Sequence, residues 1–321
     1  MSSLYVDRRG VEIRFDSEAL AFYEGSERIG TVPLAPLERI YLRGDVRLSS
    51  GLLGRLGAHG VGVVILSGRR ARPTLFLPRP HNDARIRVAQ LRWLAEPARA
   101  LRIARWLVRG KLLAHRALLQ ELAEARPGAR VYLAHGEAAL GRMAEQVGAK
   151  PDTGSLRGLE GAASAAYFAA LAHVFPPEAR FGGRNRRPPR DPANAVLSLG
   201  YTMLHAEAVL AAHGHGLDPY VGFLHEVDFA RESLACDLVE PLRPLIDRFA
   251  WRLFAEQTLR ARDFSMEPDG ACLLGKAGRE RFYAAVEQPL ELARKRLEGM
   301  LAGLRGVLLE TGDARALPDQ L

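Results

Sequence analysis

The sequence contains little cysteine and has no long uninterrupted apolar run. Its two cysteines, Cys236 and Cys272, are widely separated and match no zinc-ligand spacing, which excludes a disulfide-stapled secreted scaffold and a cysteine-based zinc site. The longest apolar run, at 61–66, is far too short to span a bilayer, and the N-terminal MSSLYVDRRG lacks the apolar core of a signal peptide. We therefore expect a reduced, cytoplasmic protein that does not associate with membranes.

Nucleotide-binding motifs are also absent, and acidic residues are fewer than basic ones. The chain has no Walker motif and no GxGxxG after a strand, so nothing in it indicates a nucleotide site. Its 45 Lys and Arg residues against 37 Asp and Glu give a net charge of +8, most of it from arginine. This balance favours a polyanionic partner, nucleic acid above all.

The order of the hydrophobic patterns predicts an α+β protein of two domains. Hydrophobic residues make up 48% of the 321 residues, enough for a substantial core. Residues 1–79 contain short, partly alternating runs separated by turn-type residues, which predict a small β-rich domain with one helix capped by a serine at Ser49-Ser50. Residues 80–321 follow the 3.6-residue period and predict a larger all-α domain.

The helices of the second domain have recognisable ends. We predict helices at 83–93, 97–125, 134–147 and 155–168, a further helix that begins at Asp191-Pro192, and a hairpin-like excursion near 263–274. Basic residues, Lys111 among them, are interleaved along the helix at 97–125. They indicate either a solvated helix face or a surface that follows a phosphate backbone.

The stretch from Leu217 to Leu245 carries a histidine and two carboxylates in apolar surroundings. His225 follows an apolar run, and Asp237 and Glu240 stand three residues apart, a spacing that places both side chains on one helical face. Two neighbouring buried carboxylates need a positive partner, and a divalent cation serves well. Salt bridges of the two acids to Arg243 or Arg248 are the alternative. We also expect Pro241 to push Glu240 away from helical dihedrals.

A third carboxylate, Glu160, interrupts a helix of small and apolar residues. Ser164 and Tyr167 follow it at i+4 and i+7 on the same face, and a partly buried carboxylate there needs either a metal ion or a structural salt bridge. One histidine with two or three carboxylates is a hard ligand set that suits Mg²⁺ or Mn²⁺ better than Zn²⁺. In a basic protein this set indicates metal-dependent phosphoryl transfer on nucleic acid.

The segment RFGGRNRRPPR at 180–190 holds five arginines and no acid, and it is interpreted as an exposed loop. It indicates contact with DNA phosphates, with a plain linker as the alternative. The helix that follows carries a polar stripe, which indicates either a functional face or ordinary core hydrogen bonding. The predicted DNA-binding residues of the loop and the stripe are Arg184, Arg186, Arg187, Arg190, Asn194 and Tyr201.

At these residues the chain resembles a known family, the CRISPR-associated integrases that capture new spacers. Five segments, whose order and spacing extend over essentially the whole chain, carry the resemblance. They are RGLEG at 157–161, DPANAVLSLGY at 191–201, GFLH at 222–225, SLACDLVEPLRP at 233–244 and the region 270–282.

The resemblance implies site residues, an activity and partners. Glu160, His225 and Glu240 match the ligands of a catalytic Mg²⁺ or Mn²⁺ ion, and Asp237 matches a further catalytic acidic position beside the metal. The implied activity joins the 3′-hydroxyl ends of a prespacer duplex to the CRISPR repeat by transesterification, with associated endonuclease activity. The implied partners are double-stranded DNA, a second copy of the chain that dimerises through the β-rich domain, and a small ferredoxin-like adaptation protein.

Two alternatives remain at this level. A metal-dependent endonuclease or junction resolvase would use the same residues with water as the nucleophile. A DNA-binding subunit without catalysis would use the arginines alone, and the carboxylates and the histidine would then be structural.

Overall fold

The computed structural model describes residues 3–68, 70–78, 81, 83–185 and 188–309. Strands dominate its N-terminal part and helices its C-terminal part, so the predicted mixture of a β-rich region followed by a helical region is confirmed. The chain divides into two compact units, Met1–Asn82 and Asp83–Leu321. The predicted boundary between residues 79 and 80 lies outside the described residues.

The described residues of the first unit form two four-stranded sheets and one helix. Its elements are β1 (Ser3–Asp7), β2 (Val11–Asp16), β3 (Ala19–Glu24), β4 (Glu27–Pro33), β5 (Arg39–Arg43), β6 (Val46–Leu48), α1 (Ser50–Ala58), β7 (Gly62–Ser67) and β8 (Arg72–Phe76). One sheet has the order β1-β5-β7-β8, with only the β7–β8 pair antiparallel, and the other has the order β4-β3-β2-β6, with only the β2–β6 pair parallel.

Side-chain alternation explains these strands. In β2, Val11 and Ile13 are buried in the core of the unit, whereas Arg14 points outward and stacks on Tyr23 of β3. The predicted serine cap is confirmed, because the Ser49 hydroxyl accepts a hydrogen bond from the Leu52 amide at 3.1 Å. Strand β6 was not predicted, because three residues are too few for an alternating pattern.

Helices α2 to α9 dominate the second unit. They are α2 (Arg85–Ala95), α3 (Pro97–Ala125), α4 (Arg130–Gln146), α5 (Thr153–Leu171), α6 (Pro192–Gly214), α7 (Ser233–Val239), α8 (Arg243–Ala255) and α9 (Lys276–Leu308). The prediction of an all-α domain is wrong, since β9 (Phe264–Met266) and β10 (Cys272–Leu274) form an antiparallel hairpin at the expected excursion. Gly270, with φ of +79°, makes its turn possible.

Helix α6 lies in the core of this unit. Asp191 caps it by accepting from the Asn194 amide at 2.8 Å, and Pro192 opens it, as predicted. Its length and composition would suffice to cross a membrane, but 78% of its most apolar stretch is buried inside the protein, as in the core helix of a globular protein. Its one carboxylate, Glu207, is fully buried and paired with Arg294 of α9 at 2.9 Å.

Helix α3 packs against α4 and α5 and has both predicted ends. Lys111, however, lies on neither a solvated face nor a phosphate-binding surface, because its side chain is only 3% exposed. It occupies the buried stripe of α3 together with Leu107, His115 and Leu118. Both interpretations of this basic residue were therefore wrong, and the buried charge must have partners inside the protein.

The chain turns between α7 and α8 through a short 3₁₀ segment, Glu240–Leu242. Glu240 has φ −55° and ψ −49°, so the prediction that Pro241 would move it out of the helical region is wrong. The helix instead tightens at this point and continues as α8 three residues later.

Candidate metal centre

Glu160 of α5 and Glu240, which lie 80 positions apart in the sequence, meet around a single cation. The Lys111 ammonium of α3 donates to Oε2 of Glu240 at 2.5 Å and to Oε1 of Glu160. The second oxygen of Glu240 pairs with the Arg243 guanidinium at 2.9 Å. The salt bridge from Glu240 to Arg243, one of the two alternatives from the sequence, is therefore present, and Arg248 pairs with Glu121 instead.

The two carboxylates differ in their access to solvent. The Glu240 side chain is 6% exposed, whereas that of Glu160 is 20% exposed. Ser164, one turn after Glu160 on α5, donates its hydroxyl to Glu160 Oε1 at 2.9 Å. The predicted i, i+4 pair therefore forms, and it orients the more accessible carboxylate.

Asp237 is fully buried and holds the segment that carries His225. Its carboxylate accepts hydrogen bonds from the backbone amides of Phe223, Leu224 and His225 at 2.6 to 3.0 Å. Its Oδ1 also lies 2.7 Å from Nδ1 of the His225 ring. With Nδ1 engaged by Asp237, the imidazole has Nε2 left to serve as a ligand. Asp237 and Glu240 thus have different partners despite their predicted common face.

The loop 222–225 packs so closely against Asp237 that there is no room for a side chain at Gly222. A Cβ at this position would lie 2.9 Å from Asp237 Oδ2 and 2.7 Å from the backbone carbon of Ser233. Two buried or half-buried side chains from other helices bind this loop and the residue that precedes it. Gln90 of α2 donates to the carbonyl of Val221 at 2.7 Å, and Arg157 of α5 donates to that of Leu224 at 3.2 Å.

The charges around Glu240 favour its ionised form. Burial alone would raise the pKa of its carboxyl, but Arg243 and Lys111 outweigh burial and hold the pKa well below the usual range. Glu240 is therefore an anion at any physiological pH.

A polar layer beside the centre contains several predicted DNA-binding residues. Arg184 donates to Asn194 Oδ1 at 2.6 Å and stacks over the Tyr201 ring, which also faces Arg243. The Tyr201 hydroxyl bonds to the buried Asp247. Asn194 is fully buried, and its amide donates to the Gly183 carbonyl at 2.8 Å.

Three further predicted DNA-binding residues belong to the same arginine-rich segment of the sequence, 180–190. Arg190 is exposed, and its backbone amide donates to Asn185. Arg186 and Arg187 lie outside the described residues. DNA contact by these three arginines stays a prediction.

Within the described ranges, no three His, Cys, Asp or Glu side chains are arranged to hold a metal ion as they stand. The Lys111 ammonium lies between the carboxylates of Glu160 and Glu240. The donor set itself, two carboxylates and an imidazole with one bound nitrogen, fits a hard divalent cation.

Sequence reasoning missed three residues that shape the centre, namely Lys111, Gln90 and Arg157. The signal for Lys111 was its position on the apolar stripe of α3, where a solvated lysine is out of place. Arg157 stands in the RGLEG segment, where the sequence singles out only Glu160. No sequence signal links Gln90 to the loop it anchors, because 131 positions separate it from Val221.

Comparison with known proteins places the chain among CRISPR-associated proteins. The family model described as "CRISPR associated protein Cas1" matches residues 4–288. The "CRISPR-associated endonuclease Cas1 1" of Thermodesulfovibrio yellowstonii is 36% identical over 98% of this chain and 99% of its own length. The "CRISPR-associated endonuclease Cas1 3" of Thermus thermophilus is 35% identical over 94% of this chain and 85% of its own.

Solved structures share the fold. A CAS1 protein from Thermotoga maritima superposes with a TM-score of 0.83 at 23% identity, covering 96% of this chain and 97% of that one. A casposase bound to integration product gives 0.82 at 22% identity, covering 98% and 92%. The "Cas6-RT-Cas1--Cas2 complex" gives 0.81 at 23% identity over 98% of this chain and 36% of that one.

Proposed function

Because the chain belongs to the Cas1 family of CRISPR-associated proteins, it is an adaptation integrase and endonuclease, and we propose that Glu160, His225 and Glu240 hold its catalytic metal ion. The observation that supports this assignment most directly is the meeting of Glu160 and Glu240 around one cation. Two carboxylates from distant parts of the chain converge there. The buried Asp237 orients the ring of the third proposed ligand, His225.

The ligand set favours Mg²⁺ or Mn²⁺. Such an ion, when bound, neutralises a phosphate and stabilises the charge that develops during phosphoryl transfer. Three other residues of the chain orient the proposed ligands. Asp237 fixes the His225 ring through Nδ1, Ser164 orients Glu160, and Arg243 holds the second oxygen of Glu240.

The reaction requires no nucleophile from the protein. The 3′-hydroxyl oxygen of the prespacer attacks a phosphorus of the repeat, a new phosphodiester bond forms, and the 3′-oxygen of the repeat strand leaves with a proton. One phosphodiester replaces another, so no energy-rich cofactor is consumed. Endonuclease activity differs only in that water takes the place of the 3′-hydroxyl, which explains why one site serves both activities.

The partners in this proposal are double-stranded DNA, a second copy of the chain and a small ferredoxin-like adaptation protein, and the reaction takes place in the cytoplasm. We assign dimerisation to the β-rich unit, whose residues carry none of the proposed chemistry. The net charge of +8 and the exposed Arg190 support a DNA-bound state.

A strand-transfer assay tests the proposal. Purified protein is incubated with Mn²⁺, a labelled short duplex with 3′-hydroxyl ends and a supercoiled plasmid that carries a repeat array, with and without the small partner protein. We expect label joined to the plasmid by the wild type and none by Glu160→Ala. Joined label with the variant would contradict the assignment of the site. DNA binding without any product, both with and without the partner protein, would favour a non-catalytic subunit.

A further inference from the structure

Lys111 is an unusual choice of residue for its position. The chain contains four lysines, and arginine supplies the rest of its 45 basic residues. Buried ion pairs normally favour arginine, whose planar fork binds carboxylates at two points and stays in place. Lysine offers a compact charge on a flexible chain, which can leave a carboxylate by rotation about its own bonds. A lysine at the centre of the site therefore suits a role in which the positive charge changes position.

The ammonium occupies the place on which the proposed ligands converge. It binds Oε1 of Glu160 and Oε2 of Glu240, the oxygens that face each other. A divalent cation held by both carboxylates needs the same oxygens, and like charges repel strongly at such distances. Lys111 and a metal ion therefore cannot share the site in the present arrangement.

Both carboxylates keep a second partner when the lysine leaves. Arg243 holds Oε1 of Glu240 at 2.9 Å, and the Ser164 hydroxyl holds Glu160 at 2.9 Å. Withdrawal of Lys111 would leave the two acids in place, with their facing oxygens available.

His115 offers an acceptor for the displaced ammonium. It lies one turn after Lys111 on the same buried stripe of α3, a spacing that brings side chains into contact. Its ring is buried and stacked on Tyr167 at 3.8 Å, and neither ring nitrogen has a hydrogen-bond partner in the described part of the chain. Burial and the nearby Lys111 charge hold the pKa of His115 well below its usual value, so the ring is neutral and one nitrogen can accept a proton donor.

We propose that Lys111 is a resident counter-ion that holds Glu160 and Glu240 together in the metal-free protein and withdraws toward His115 when a divalent cation binds. This inference rests on the metal site proposed above. Lys111 thereby keeps the ligand set assembled without metal and lowers its affinity for metal, since each binding event has to displace the ammonium.

The small number of lysines makes the wild-type protein its own probe. Lysine labelled with ¹³C at Cε gives four signals, and the variants Lys150→Arg, Lys276→Arg and Lys295→Arg assign the other three. We expect the Lys111 signal to shift on addition of Mg²⁺ with the same midpoint that calorimetry gives for metal binding, while the other three signals stay in place. Metal binding with an unmoved Lys111 signal would overturn the proposed role of Lys111 and leave the metal site intact. No metal binding by the wild type would overturn both proposals.

Substitutions test the competition and the route. Lys111→Met keeps the apolar stem and removes the charge, and we expect it to bind Mn²⁺ about tenfold more tightly than the wild type, with Lys150→Met as the unchanged control. His115→Phe keeps the stacked ring and removes the acceptor, so it should weaken Mn²⁺ binding in the wild type and leave it unchanged in Lys111→Met. Equal or weaker binding by Lys111→Met, or an equal His115→Phe effect in both backgrounds, would overturn the proposed displacement.

Discussion

At the scale of single residues, Asp237 determines where His225 can act. Its carboxylate has four donors, three of them backbone amides, and no exposure to solvent. We predict that Asp237→Asn lowers strand transfer by about 10- to 100-fold, because an amide nitrogen in place of one oxygen faces groups that themselves donate. It should also lower the free energy of unfolding by about 1–3 kcal/mol, measured by urea denaturation.

The matched control for Asp237→Asn is Asp228→Asn in the same loop region. Asp228 is exposed and bonds only locally, to the Phe229 amide and toward Arg231, among the described contacts. This control should retain both activity and stability. Full activity of Asp237→Asn would show that the imidazole needs no orientation from the carboxylate and would remove Asp237 from the site.

Asp237 also shows how much of the site could be predicted from the sequence alone. His225, Asp237 and Glu240 could be singled out because acids in an apolar stretch need partners. Their spacing predicted one shared partner, yet Asp237 faces backbone amides twelve to fourteen positions earlier and Glu240 faces Lys111. The direction of a side chain at a helix end depends on the loop packed against it, which no periodicity encodes.

At the scale of elements, the loop 222–225 can adopt its position only because Gly222 has no side chain. A Cβ there would meet Ser233 backbone at 2.7 Å and the Asp237 carboxylate at 2.9 Å. We predict that Gly222→Ala displaces the loop, lowers the free energy of unfolding by about 1–3 kcal/mol and removes most strand transfer. Gly214→Ala on α6, where a Cβ meets nothing within 4 Å, is the control and should behave as the wild type in the same two assays.

Helices α6 and α7 are joined through a charged pair whose strength depends on pH. His205 Nε2 of α6 lies 2.7 Å from Glu232, the residue before α7. Burial alone would lower the pKa of His205, but hydrogen bonds to Cys236 and Glu232 outweigh it and raise the pKa to about 9. Because the pKa is raised on folding, the stabilisation is fully present below about pH 6.5 and is lost as the pH rises toward 9.

We therefore predict that His205→Gln lowers the free energy of unfolding by about 2–3 kcal/mol at pH 6 and by much less at pH 9. Urea denaturation of both proteins across this range gives the difference directly. His59→Gln, at an exposed histidine of the first unit, should leave the curve unchanged. A constant difference from pH 6 to 9 would show that His205 contributes through packing and not through its charge.

Element boundaries were predictable where the chain carries its own end signals. Helix α3 has both predicted ends, because Pro97 suits a first turn and Pro127 cannot continue a helix. Helix α4 begins at Arg130, four residues before the prediction, since nothing in that stretch resembles an N-cap and a 3₁₀ turn leads directly into it. Helix ends that carry local signals such as proline can be predicted from one sequence. The junction between two helical turns depends on packing and cannot.

At the scale of the whole molecule, the β-to-α order was predictable from the change of hydrophobic period, and the hairpin β9–β10 from its turn residues. The convergence of α3, α5 and the α7–α8 junction on one point was not. Lys111, Glu160 and Glu240 are separated by 49 and 80 positions, and only the three-dimensional packing of these helices shows that one lysine serves both acids.

The whole molecule also separates DNA affinity from chemistry, because the net charge of +8 and the carboxylate site reside in different residues. We predict that Arg186→Ala with Arg187→Ala weakens DNA binding and reduces the slope of log affinity against log salt by about 2, since two phosphate contacts are lost. Glu160→Ala should keep the DNA affinity and its salt slope while strand transfer disappears.

Arg252→Ala, at an arginine paired with Glu256 within α8, is the matched control for the double variant. Fluorescence anisotropy of a labelled duplex from 50 to 200 mM salt measures the slopes, and an unchanged slope in the double variant would place the DNA path away from the 180–190 loop.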